Sequence, residues 1–152
     1  MRLRTGEGGA VEAGKIMLRR LRELAAQKIN FAFETTLASR SFAPWLEQLM
    51  QSGYRIHLFF LALPTPEAAL ARVRHRVSLG GHNVEPEIIR RRFSAGLRNL
   101  FTLYMPLVSS WVILDNTSPE SPQNIAEKIA NNGVIIGKQV DFQRMKDEYG
   151  QT

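Results

Sequence analysis

Hydrophobic positions recur at helical spacing in several stretches of this chain and run almost without interruption in others. Met17, Leu18, Leu21, Leu24 and Ala25 share one face of a 3.6-residue period, so the pattern predicts an amphipathic helix over roughly residues 10–28. Phe31 and Phe33 alternate with smaller or polar residues in Asn30–Thr36, which predicts a short strand running into a polar, functional loop. Phe42, Trp45, Leu46, Leu49 and Met50 then give a second helical stripe. Ser41 is placed to cap it, Pro44 is tolerable in its first turn, and Gly53 can stop it.

Arg55–Leu63 holds the near-continuous apolar run Ile56, Leu58, Phe59, Phe60, Leu61, and a strand without a polar face is expected to be buried on both sides of a parallel sheet. Thr65-Pro66 reads as a cap and first residue of a helix that ends at Gly80-Gly81. A loop to Pro86 leads into a long helix carrying Ile89, Phe93, Leu97, Leu100 and Tyr104, which Pro106 ends or kinks. Trp111–Asp115 predicts another buried strand, Pro122–Asn131 a short helix, and Gly133–Gly137 a small strand. Strands alternating with helices three times predict an α/β fold with a parallel sheet, whose ligands bind at the carboxyl ends of the strands. Those ends are Glu34-Thr35-Thr36, Leu63-Pro64 and Asp115-Asn116. No repeat or linker interrupts the chain, so residues 1–137 are expected to form one domain and residues 138–152 a polar tail.

Composition narrows the class. The chain has 152 residues, 44% hydrophobic and 22% charged, which suffices for a folded core and argues against disorder. It has no cysteine, which excludes disulfides and thiolate metal sites. The longest apolar run, Leu58–Leu63, is far short of the ~20 residues of a membrane span, and no apolar stretch follows the first arginines as in a signal peptide. The expectation is a cytoplasmic protein without membrane contact. Of the net charge of +6, a net +5 lies between Arg72 and Arg98, where seven arginines meet no lysine and two acids. Arginine alone offers planar, bidentate contact to phosphate oxygens, so this segment points to a phosphate on a nucleotide or a nucleic acid, or else to a solvated helix face.

Three groups could carry chemistry. Gly9–Ile16 matches G-x-x-x-x-G-K, but Ile16 stands where a magnesium-binding hydroxyl belongs, no buried strand precedes it, and it runs on into a helix, so it reads as a decoy. Glu34, Thr35 and Thr36, with Ser39 and Arg40 just beyond, put a carboxylate and hydroxyls at a strand end. Glu34 there could orient a hydroxyl for phosphoryl transfer, against a bland reading of solvated end and helix cap. The arginine segment, two helices joined by a Gly-Gly turn, describes a lid over phosphates. Arg90, Arg91 and Arg92 span most of a helical turn, so they cannot all face one ligand, and Arg76 points from the opposite arm. His57, His75 and His82 share no metal-ligand spacing, and no metal site is proposed on them.

At these residues the chain resembles a known family. Ala13-Gly-Lys-Ile-Met-Leu18, Phe31-Ala-Phe-Glu-Thr-Thr-Leu37, Tyr54-Arg-Ile-His-Leu-Phe-Phe60, Arg76-Val-Ser-Leu-Gly-Gly-His-Asn-Val84, Arg90-Arg-Arg-Phe93, Arg98-Asn-Leu-Phe101 and Trp111-Val-Ile-Leu-Asp-Asn116 look like consecutive blocks of the zeta-toxin-like P-loop kinases. The closest branch is the small one described as predicted ABC-type ATPases. The resemblance covers about residues 10–130. It implies a three-layer P-loop-kinase-like parallel sheet and transfer of the γ-phosphate of ATP, with Mg2+, to a small acceptor, which for characterised zeta toxins is UDP-N-acetylglucosamine. By that resemblance Glu34, Thr36 and Arg40 bind the acceptor, while Arg76, Arg91 and Arg92 grip the nucleotide phosphates and act in catalysis. It also implies an antitoxin-type protein partner, to which no residue here points. The family's first two strands, its glycine-rich loop ending in Gly-Lys-Ser/Thr, and its expected base have no counterpart in this sequence, so the expectation is a fold truncated at its N-terminus, an impaired kinase, and weak or absent binding of ATP and Mg2+. Two other readings stay open: a non-catalytic remnant that binds nucleotide or phosphate through the lid arginines, and, ranked last, a basic nucleic-acid-binding module.

Overall fold

Helix α1 spans Glu7–Ala26 in the computed structural model, which describes residues 7–129 and 132–151. The chain divides into two units, one ending at Glu34 and one beginning at Thr35. In the first unit Gly14 and Lys15 lie inside α1, where helical hydrogen bonds occupy the amides a phosphate cradle would need. The Gly9–Ile16 lookalike is therefore helix, not loop. Lys28 takes the left-handed conformation (φ 58°) that usually falls to glycine past a helix end, and Lys28 N and Ile29 N return to Ala25 O and Leu24 O. Residues 29–34 follow without joining a sheet, so the strand expected over Asn30–Thr36 is absent. Alternating aromatics suit a strand, but a strand also needs a sheet to join, and among the described residues this segment is in none.

In the second unit, helix α2 (Phe42–Gln51) buries Ala43, Leu46 and Leu49 along its apolar stripe. It stops as expected on Gly53 (φ 96°), with Gly53 N bonded to Met50 O and Tyr54 N to Leu49 O. Ser41 precedes it but does not cap it, because its hydroxyl bonds Ser39 Oγ at 2.7 Å instead of a helix amide. Strand β1 (His57–Ala62) pairs in parallel with β2 (Ser110–Asp115), from His57↔Ser110 to Ala62↔Asp115. The crossover between them holds helices α3 (Pro66–Ser78) and α4 (Pro86–Asn99), a π-helical stretch Leu100–Tyr104, and the short α5 (Met105–Leu107). Pro106 has no amide to give, and just before it Met105 N bonds back five residues to Leu100 O, so the proline is accompanied by a widened turn.

Two further strands change the sheet from the expected parallel form to a mixed one. Strand β3 (Gln123–Lys128) pairs antiparallel with β2, and β4 (Val134–Ile136) antiparallel with β3, giving the order β1-β2-β3-β4. The fold is α/β, compatible with a P-loop-kinase-like architecture. The helix expected over Pro122–Asn131 is strand β3, with residues 130 and 131 outside the described residues. Helix-forming Gln, Ala, Glu and Lys mislead there, because a register shift at Ile113/Leu114 lets Ile125 and Ala126 both be buried against the sheet. The expected two-sided burial of the Arg55–Leu63 strand also fails. β1 is an edge strand, with Phe59 68% and Leu61 54% exposed on one face.

Residues Gln139–Tyr149 form helix α6 in place of a tail. Phe142, Met145 and Tyr149 recur at i, i+3 and i+7; the first two are buried, and Tyr149 meets the edge of Phe93 on α4 at 6.5 Å. No described helix is long and apolar enough to cross a membrane.

Candidate functional site

The arginine segment folds as the two-armed element its sequence predicts. Thr65 Oγ1 accepts from Ala68 N at 3.2 Å and starts α3. At the far end Gly80 (φ 92°) reverses the chain, with Gly80 N on Val77 O and Gly81 N on Arg76 O, both 3.0 Å. Pro86 opens α4, which packs against α3. Arg90 ties the arms: it meets Glu87 at 2.7 Å on its own helix and Glu67 of α3 at 3.7 Å. Its neighbours differ. Arg91 and Arg92 are exposed and have no ion pair or hydrogen bond among the described residues. Arg76 is exposed on the last turn of α3, and among the described residues its guanidinium reaches only His82 O, at 3.5 Å.

The Thr36 segment lies beside α4. Glu34 closes the first unit and is exposed; Thr36 and Arg40 are exposed in the second. Between them Leu37 is buried with φ 54°, a conformation costly for a side-chain-bearing residue. Its amide donates to Thr35 Oγ1 at 3.2 Å. Asn99 Nδ2 donates to Leu37 O at 2.8 Å and to Ala38 O at 3.3 Å, and the Tyr104 hydroxyl donates to Ser39 O at 2.5 Å. Burial pushes the Tyr104 phenol up from its ordinary value, and the Arg40 charge pulls it back in part. A cavity of about 70 Å³ brings Thr36 together with Phe60, Leu61 and Leu63 at the carboxyl end of β1 and with Phe93, Gly96 and Leu97 of α4. A larger trough of about 800 Å³ is lined by α6 residues alone, among them Gln139 and Asp147, and holds none of the candidate residues.

A third cluster closes the carboxyl end of β2; the sequence singled out the strand end and, as a phosphate-seeking arginine, Arg72, but not Thr117 or Lys138. Asp115 accepts from Lys138 Nζ at 2.6 Å and from Thr117 N and Oγ1 at 2.9 and 2.6 Å, and Arg72 donates to the carbonyls of Asn116 and Thr117. The Lys138 bond, then those from Thr117, hold the Asp115 carboxyl at about 2. A depressed acid stabilises the fold fully above its unfolded value of 3.8, and that contribution is lost as pH falls toward about 2. Asp115→Asn should therefore unfold at lower urea than the parent at pH 6, by about 1–2 kcal/mol. The gap should narrow between pH 4 and pH 2; a gap that stays constant with pH would show that the carboxylate charge is not what matters. No group of three His, Cys, Asp or Glu side chains among the described residues is placed to hold a metal ion.

The family model for the zeta toxin matches residues 6–132. A curated protein of Haemophilus influenzae, described as an uncharacterized protein, is 28% identical over 83 residues. Those residues are 55% of this chain and 59% of that protein, so the chain spans just under three fifths of its relative's length. No solved structure matches.

Proposed function

This chain belongs to the zeta toxin family, and from that premise we propose that it carries the lid and acceptor-binding parts of an ATP-dependent phosphotransferase acting on a small molecule, with a UDP-amino sugar as the acceptor. In this reading Arg76, Arg91 and Arg92 bind the nucleotide phosphates and stabilise charge on the phosphoryl group in transfer. Glu34, Thr36 and Arg40 hold the acceptor, with Glu34 orienting its hydroxyl. That oxygen bonds to the γ-phosphorus as the bond to the ADP oxygen breaks.

One observation carries the reading. Of three consecutive arginines on α4, Arg90 is spent on two acids while Arg91 and Arg92 keep their guanidinium groups unpaired among the described residues. Two adjacent guanidinium groups without a protein partner are available to phosphate oxygens. The described residues fit phosphate oxygens better than they fit magnesium. Asp115, at a carboxyl end of the sheet, is committed to Lys138 and Thr117, and no cluster of acids accompanies it. No step is routed through the metal.

The binding-only reading uses the same arginines and does not require the cradle of loop amides that positions phosphates for transfer in P-loop enzymes. Isothermal titration with ATP and magnesium, repeated with Arg76→Ala, tests the shared part: the variant should bind at least about tenfold more weakly. Equal heats from both proteins would remove the lid arginines from the site. ADP release that needs UDP-N-acetylglucosamine, and that Arg76→Ala abolishes, then separates the kinase from the binding module.

A further inference from the structure

The Thr35–Ser41 loop belongs to no sheet, yet four successive carbonyls, those of Thr36, Leu37, Ala38 and Ser39, are held against one continuous helical stretch. A Cβ on Gly96 would stand 2.4 Å from Thr36 O, so the missing side chain is what admits that carbonyl. Asn99 takes the next two and Tyr104 the fourth. Asn99 is 5% exposed and is the buried polar residue of the described core. Its amide is spent on a loop, not on its own helix.

The π-helical stretch explains how the three residues share a face. At about 100° per residue, a regular helix would carry Tyr104 about 140° around the axis from Asn99. The i→i+5 turn over Leu100–Tyr104 accommodates one extra residue and moves Tyr104 back by about one position, onto the side of Gly96 and Asn99. Arg91 and Arg92 lie about two turns before Asn99 on the same helix, roughly 10–12 Å along its axis.

We infer that Asn99, assisted by Tyr104, is a positioning residue that fixes the Thr36–Arg40 loop to the helix bearing Arg91 and Arg92, so that the acceptor loop and this lid arm form one unit. What the loop holds rests on the proposed function; that it is held by α4 does not. The loop's strained turn at Leu37 persists because the carbonyls on either side are fixed from outside.

Two variants of the full chain test this: Asn99→Ala, and the milder Tyr104→Phe in case the first does not fold. In both, the amides of Leu37 and Ser41 should exchange with solvent at least about tenfold faster than in the parent, while those of Trp111–Leu114 in β2 keep their rates. Titrations should show affinity for UDP-N-acetylglucosamine falling at least about fivefold and affinity for ATP with magnesium changing by less than about twofold. Unchanged loop exchange in both variants overturns the inference. So does acceleration of β2 in step with the loop, because the two side chains would then only support the core, and so does an equal loss of both affinities. A loop that loosens as expected in a protein that binds neither ligand upholds the positioning role and rejects the proposed function.

Discussion

Phe142→Ala will cost about 3 kcal/mol of unfolding free energy in urea denaturation. The ring is 8% exposed and lies nearly parallel to the Trp111 indole, at 12° and 6.3 Å between centroids, with Phe101 tilted against it at 6.0 Å. Trp111 sits on β2 and Phe101 on the π-helical stretch, so one ring of α6 joins the sheet to the crossover. Truncating it removes a large buried apolar surface and leaves a cavity between side chains whose backbones are fixed by the sheet and the helix. For a domain of this size, with total stability of about 5–15 kcal/mol, that is a large fraction. Val140→Asp, on the same helix at a position 82% exposed, should stay within about 0.5 kcal/mol of the parent. If Phe142→Ala costs less than about 1 kcal/mol, α6 is not part of the core that folds cooperatively.

That helix was also the least legible part of the sequence. Lys138–Thr152 is dominated by charge and amide, and an apolar stripe of Phe142, Met145 and Tyr149 is too thin to stand out beside the stripe of α2. Its burial is settled by Trp111, 31 positions away, which no local pattern records. The same holds for β3. Gln123–Lys128 is helical by composition, and it becomes a strand because β2 presents an edge that buries Ile125 and Ala126. Where the deciding interaction is local, the reading succeeds: Thr65-Pro66 starts α3, and Gly53 and Gly80 stop α2 and α3 through positive φ. The candidate site divides along the same line. The arginine arms and the polar Thr36 loop are visible as runs of residue type. Asn99 stands in the Arg98–Phe101 block of the family resemblance, but its bond to a loop 62 positions away is not readable there. The split of Arg90 from Arg91 and Arg92 was likewise hidden, because it depends on Glu67 on the neighbouring helix α3.

Gly96→Ala should destabilise the chain by about 1–3 kcal/mol, although the same change in an open helix is favourable. Two effects of opposite sign compete at this position. Alanine gains about 1 kcal/mol in helix propensity over glycine. Against this, its methyl group would sit 2.4 Å from Thr36 O and 3.6 Å from Thr36 C, and the obstructing atoms are backbone, which cannot rotate away as a side chain can. Relief requires α4 to withdraw or the loop to shift by more than half an ångström, and the bonds from Asn99 and Tyr104 to the same loop oppose both. Gly14→Ala provides the control, because nothing lies within 4 Å of a Cβ built there in α1. It should stabilise by up to about 1 kcal/mol in the same urea series. Opposite signs for one substitution in two helices would locate the difference in the Thr36 carbonyl. A Gly96→Ala variant at least as stable as the parent would mean that the loop can leave α4 at little cost, and the coupling inferred for Asn99 would fail with it.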